Sequence, residues 1–230
     1  VGLLLLKPNS SQQRGYTVIE IIVVICILGI LMLFSLKGAV LVDAIKAEVV
    51  RSEMQQFQAS VGRFLTDYKE LPGDSVAAER MWGREQSLSR TPSGQLAAMV
   101  NNGRIEGTFY DTGNAGGEQY NAWRDLRFAG MVTGDAALQG SSAMPENPFG
   151  GFYGFDEGNL GQKSGSICTS RIPGRSALQI DSRIDDGGIN TGRMVATSKF
   201  SIEQNNHFEA PDSEPYNVEK EYIICVPLLP

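Results

Sequence analysis

One histidine, three cysteines and two tryptophans in 230 residues leave little material for several kinds of chemistry. His207 is the only imidazole, and its surroundings, "EQNNHFEAPDSEP", read as a solvated loop. A Ser-His-Asp or Cys-His centre would have to be built on it, and no local motif supports either. No CxxC occurs, which excludes a zinc ribbon or a thioredoxin motif. There is no Walker loop and no GxGxxG. Carboxylate pairs exist, but they do not separate a glycosidase from a charged surface. Basic runs are also missing. With a formal charge of −6 the chain is a poor nucleic-acid binder, and none is expected as a partner. Losing Lys7 and Arg14, the only charges in residues 1–15, would take it to −8. The expectation is therefore not an enzyme. Proline is absent from Tyr16 to Leu71, and there is no internal repeat.

What is present is unevenly placed. The densest apolar run is Val18 to Leu36, and Glu20 is its one charged side chain. From Tyr16 the run is about long enough for one helix through a hydrocarbon layer roughly 30 Å thick. Lys7 and Arg14 ahead of it favour the cytoplasmic side, so the large C-terminal part should face out. An ordinary secretory signal fits poorly, because the run is too long and no A-x-A site follows. A plain anchor would have no use for Glu20, which costs roughly 2.5–3.5 kcal/mol at mid-membrane and less near the edge. The carboxylate needs a partner. Cleavage after Gly15 would create one: an α-amino group on Tyr16, with a pKa near 8 and mostly cationic at neutral pH. Between axially staggered neighbouring helices, the amine of one can meet the Glu20 carboxylate of the other. In low dielectric any other stagger leaves the charge unpaired.

The stretch "RGYTVIEIIVVICILGILMLF" resembles the N-terminal signature of type IV prepilins and type II secretion pseudopilins. That family has a short basic leader ending in Gly, cut by a prepilin peptidase that also N-methylates the new first residue. Gly15 matches the cleavage Gly, Tyr16 the methylated aromatic (usually Phe), and Glu20 the Glu. The resemblance covers about 25 residues directly. Leu3 to Leu6 make the leader apolar for the family. In the head, "YKELPGD", "MWG", "AWRDLRFAGMV" and "IDSRIDDGGINTGRM" resemble one subgroup of large prepilin-like proteins. The resemblance implies a pilin-like fold, with a long N-terminal helix packed on an antiparallel sheet.

Beyond Leu36 the residues themselves continue the helix. Val42, Ile45, Val49, Phe57, Val61, Phe64 and Tyr68 recur mainly at spacings of three and four, with Met54 on the same face. "ELPGD" ends the pattern. At 1.5 Å per residue such a helix would be roughly 80 Å long. Short helices are expected at "SVAAERMWG", "GEQYNAWRDLRFAGMV" (Gly130 its C-cap) and "RSALQIDSRIDDGG", with Leu178, Ile180 and Ile184 as apolar contacts. Strands are expected at "FGGFYGF", "GRMVATS" and "EYIICVPL". Helices beside antiparallel strands make an α+β head. Stretches around residues 111–117 and 157–165 read as loops. The expected organisation is a cleaved leader at 1–15, a transmembrane or filament-core helix at 16–36, its amphipathic continuation at 37–70, and a globular head at 71–230.

Cys26 lies in the apolar run; Cys168 and Cys225 lie in the head. If the head is exported, the last two can pair; otherwise they are buried free thiols. In "IDSRIDDGG", Asp181, Asp185 and Asp186 could converge at a helix end. Oxygen clusters suit calcium, and some pseudopilins of the resembled family use it in the head, but the spacing is not that of an EF-hand. The competing reading is helix-terminating hydrogen bonds from Asp to backbone amides. No other cofactor is indicated.

Together these features point to a structural subunit of a type IV pilus-type filament. Its expected partners are a prepilin peptidase, other pilin or pseudopilin subunits, an inner-membrane assembly platform and the membrane itself. The expected location is the bacterial inner membrane, single-pass with the head in the periplasm, and then a pilus or a periplasmic pseudopilus. A pseudopilin of type II secretion is the alternative. A membrane-tethered binding or enzymatic domain is a further one.

Overall fold

The computed structural model describes residues 15–82, 101–109, 116–158, 165–199 and 211–229; the side chains of residues 33–39 and 79 are outside the description. The chain divides into two units, Val1–Val42 and Asp43–Pro230. With no proline to remove an amide or clash with a carbonyl, helix α1 runs Val18–Tyr68, beginning in the first unit and ending in the second. It stops where Lys69 turns into the left-handed region (φ 62) while its amide still donates to the Leu65 carbonyl. Pro72 and Gly73 follow. Gly73 has φ 89, and a Cβ there would strike the Glu118 carbonyl, so only glycine fits this crossing.

Within the second unit, α1 buries Ala47, Val50, Met54, Val61 and Phe64. This corrects the stripe expected from spacing. Ile45 and Val49 are exposed, at 57% and 38%. At about 100° per residue they lie roughly 100–180° around the helix from Val50 and Met54. Two overlapping i, i+3/i+4 patterns share this helix, and spacing alone merged them.

Among the described residues three further α-helices follow, α2 (Val76–Trp82), α3 (Glu118–Phe128) and α4 (Gly174–Ile184), with a 3-10 turn at Gly140–Ala143. α3 ends with Ala129 at the cap and Gly130 one residue beyond in the left-handed region, φ 69. The Met131 amide returns to the Leu126 carbonyl there, a glycine-dependent helix stop. α4 ends at Ile184, earlier than the sequence pattern, because Asp185 leaves helical geometry. Leu178, expected as a contact, is 42% exposed; Ile180 is buried and Ile184 packs partly against the core.

The strands are β1 (Tyr153–Asp156), β2 (Ser166–Pro173), β3 (Val195–Thr197) and β4 (Glu221–Pro227), all antiparallel in the order β1-β2-β4-β3. The molecule is thus α+β, with an N-terminal helix and a C-terminal antiparallel sheet. β2 was not anticipated. "SICTSRIP" is diluted by Ser, Thr and Arg, yet it lies inside the sheet, with a bulge between Thr169 and Ile172 and Arg171 at φ 59.

One sheet face meets the helices. Tyr153 and Phe155 project onto an aromatic cluster with Phe57 of α1 and Trp123 of α3, at centroid distances of 4.5 to 5.1 Å. The Tyr153 hydroxyl donates to Glu53 at 2.6 Å, and the Gln58 amide to the Pro227 carbonyl at 2.7 Å. On the other face Gly154 lets Phe109 and Met144 close on the backbone. β4, between β2 and β3, is buried on both faces from Tyr222 to Val226.

The loops are tied by carboxylates rather than by sheet. Asp74, fully buried, accepts the backbone amides of Asn101, Asn102, Gly103 and Arg104. Glu118 accepts Glu106 N–H at 2.9 Å, Asp125 accepts Gly73 N–H at 2.8 Å, and Asp156 accepts Phe109 N–H at 3.0 Å. A buried backbone amide must find an acceptor, and charge-assisted acceptors are the strong ones. Part of the chain's acidity is therefore internal architecture, not surface.

Candidate functional site

Three groups of residues carry the chemistry anticipated from sequence. The first opens α1. Gly15, Tyr16 and Thr17 precede the helix, and Tyr16 is 78% exposed. Thr17 is the N-cap. Its Oγ1 accepts the Glu20 amide at 3.4 Å, and its carbonyl accepts the amides of Glu20 and Ile21 at 3.1 and 3.3 Å. Glu20 is exposed in the first turn, where the helix dipole favours a negative charge. Thr-x-x-Glu is the spacing of a capping box. That signal is readable in the sequence, where Thr17 stands three residues before Glu20 ahead of an apolar run.

From Val18 to Met32 every apolar side chain is exposed, and these side chains surround the helix instead of forming a stripe. A helix apolar on all sides is built to be covered all round. Among the described residues no helix is long and apolar enough to cross a membrane. The side chains of residues 33–39, part of the sequence's apolar run, lie outside the description. Cys26 is exposed and unpaired on this segment.

The second group is the disulfide. Cys168 of β2 and Cys225 of β4 are directly opposed in register, with Cα atoms 4.1 Å apart, and are bonded to each other. Both are fully buried, with the Ser166 hydroxyl 3.5 Å from the Cys168 sulfur. The bridge staples the two inner strands and closes a separation of 57 residues.

The third group is Asp181, Asp185 and Asp186. One carboxylate oxygen from each comes within 4.8 Å of the others. Asp181 is fully buried on α4 and accepts the Tyr216 hydroxyl at 2.6 Å. Asp185 accepts the amides of Asp186, at 2.7 Å, of Met194, at 2.8 Å, and of Arg193. Asp186 accepts Gly188 N–H and the Thr191 hydroxyl, each at 2.8 Å. The two outer carboxylates thus act as acceptors for the turn that follows α4, as in the helix-terminating reading. Burial, and then the Asp185 carboxylate beside it, push Asp181 up to about 7. Burial also works against charge on Asp185. Its hydrogen bonds with Asp181 and the three amides outweigh that and hold it below the usual carboxylate range. Asp181 Oδ1 has no donor among the described residues.

His207 and its loop lie outside the described residues, as do residues 1–14 with Lys7 and Arg14, and residues 111–115.

Neither a curated protein nor a solved structure matches the chain. One family model does: the prokaryotic N-terminal methylation motif, over residues 10–36. The match spans Gly15, Tyr16, the Thr17 cap, Glu20 and the exposed apolar turns of α1. That motif is characteristic of pilin-type proteins, which are usually non-enzymatic. Residues 10–36 of this chain are the type IV prepilin signature.

Proposed function

We propose that this chain is a structural subunit of a type IV pilus-type filament, with a pilin-like fold. It is cleaved after Gly15, N-methylated at Tyr16 and assembled through α1. In this reading residues 1–15 are a leader, 16–36 a membrane and filament-core segment, 37–70 its amphipathic continuation and 71–230 the head. Prepilin peptidase processes the chain at the inner membrane, the head faces the periplasm, and an assembly platform passes the subunit to its sister subunits.

The observation that carries this reading is the prepilin motif leading into a helix whose Val18–Met32 side chains are all exposed. Leaving lipid for a packed helical core exchanges one apolar environment for another, so burial by itself drives association weakly. The unpaired Glu20 carboxylate supplies the bias. It is tolerable at the membrane edge and satisfied only when a neighbour's Tyr16 amine meets it. That pairing selects one stagger, since any other leaves a charge unpaired in low dielectric.

Mass spectrometry of the mature N-terminus tests the processing: a first peptide beginning with N-methylated Tyr16 is expected. A chain that keeps residues 1–15 in cells with an active prepilin peptidase would overturn the reading. For assembly, Glu20→Ala should leave membrane insertion intact and lower incorporation into filaments. An unchanged yield would instead favour a tethered domain. Type II secretion pseudopilins share the motif, and the location of the filament, outside the cell or within the periplasm, decides between the two.

A further inference from the structure

Beside β1 lies a cavity of about 350 Å³ lined by Ser141, Ser142, Met144, Glu146 and Phe152. Glu146 and Phe152 face each other across an antiparallel bridge, which places their Cβ atoms about 4.5–5.5 Å apart. Glu146 is exposed, and among the described residues its carboxylate makes no hydrogen bond or ion pair; the hydroxyls of Ser141 and Ser142 make none either. Phe152 is 36% exposed, and the buried Met144 supplies an apolar wall.

The chemistry of these five side chains narrows what fits. An unpaired carboxylate excludes anions. A divalent cation such as calcium wants six to eight oxygens, and only one carboxylate lines the cavity. A ring beside a carboxylate attracts a positive charge to its face. Glu146, Ser141 and Ser142 supply three acceptor groups to the lining, the number of N–H donors on an ammonium. A guanidinium would take the one carboxylate bidentately and keep its other donors fixed in that plane, whereas the three donors of an ammonium rotate to separate acceptors. The ring and the methionine accommodate an alkyl stem. The chain's net charge of −6 favours the approach of a cation.

We propose that this cavity receives the lysine side chain of a protein partner. The proposal does not rest on the filament reading. It can be tested on the full chain in detergent micelles, labelled at the methionine methyls and titrated with Nα-acetyl-lysinamide. The Met144 methyl resonance should shift and saturate in the millimolar range expected of so small a ligand. The Nε-acetylated probe, which lacks the charge, should leave it in place. Glu146→Gln should weaken binding about tenfold, as for loss of a charge-assisted contact. Phe152→Leu should weaken it a few-fold, and both variants should keep the wild-type spectrum elsewhere. An unmoved Met144 methyl, an equal response to the neutral probe, or an unaltered affinity in Glu146→Gln would overturn the proposal. So would an alkyl diamine that binds about tenfold tighter than the capped lysine, since that places the ligand among free polyamines.

Discussion

The two stretches of α1 share one backbone and differ in what their side chains meet. From Val18 to Met32 the helix is apolar all round and exposed. From Ala47 to Phe64 it is amphipathic, and its apolar face is buried against the aromatic cluster and the sheet. Helix propensity and hydrogen bonding are common to both, so they do not explain the contrast. The arrangement of the side chains does. A stripe is satisfied within one chain, whereas the apolar cylinder is left uncovered by the described residues of this one. The first stretch thus keeps its apolar side chains exposed, and the second buries its own against the head. The carboxylates follow the same division. Glu20 is exposed in the first turn, whereas Asp74, Asp125, Asp156 and Asp181 are all buried with internal donors.

Four measurements can break or sharpen this division. The largest contrast should come from truncating one apolar side chain in each stretch. Phe64→Ala should cost about 3–5 kcal/mol of unfolding free energy, while Ile27→Ala should stay within about 0.5 kcal/mol. Denaturant melts of the full chain in detergent will show both. Equal losses would mean that the exposed stretch contributes to the folded subunit after all. Next, replacing Cys168 and Cys225 together by Ser should cost roughly 4 kcal/mol on the chain-entropy account. The loss should fall on the head, with circular dichroism of the apolar stretch retained.

A smaller effect concerns pH. Asp181 is pushed up to about 7 in the folded chain, against about 3.9 for an unfolded Asp. The folded state therefore holds a proton that the unfolded state releases. The stability this contributes is complete below about pH 4 and is lost as the pH rises through about 7. Asp185, held low, acts in the opposite sense, and its contribution is lost as the pH falls below the usual carboxylate range. Asp181→Asn keeps an acceptor for Tyr216 and removes the titration. Urea midpoints should thus fall less between pH 5 and pH 8 in the variant than in the wild type. Parallel declines would place the proton elsewhere. The smallest expected change is Thr17→Ala, about 0.5 kcal/mol from loss of the cap. Faster amide exchange at Glu20 and Ile21 should report it, with no shift in the head's melting temperature.

Much of this was legible in the residues. The absence of proline from Tyr16 to Leu71 and the "ELPGD" stop mark α1 within a few residues, because a helix needs only local hydrogen bonds. α2 and α3 were readable for the same reason, and β3 and β4 from their short apolar, β-branched runs. β2 was not. Its stability comes from being flanked by β1 and β4 and bridged at Cys168, and none of that is visible in "SICTSRIP". The exposure of Ile45 and Val49 was also hidden, since spacing reports which residues share a face but not which of two faces the head covers. At the acidic cluster the residue types alone left calcium and hydrogen bonding open. The partners that fill Asp185 and Asp186, at positions 188 to 194, are placed by a turn that only the folded chain forms.

The sequence by itself determined the elements whose causes are local. These are a long helix with a capped, acidic first turn, an apolar run on all sides of it, and an acidic α+β head. Tertiary structure alone decided which strand lies inside the sheet, that Cys168 and Cys225 are opposed, and which carboxylates are buried against which amides. Each of those depends on residues tens of positions apart meeting at distances near 3 Å. No pattern along the chain encodes such meetings, because they arise when several surfaces exclude water at once.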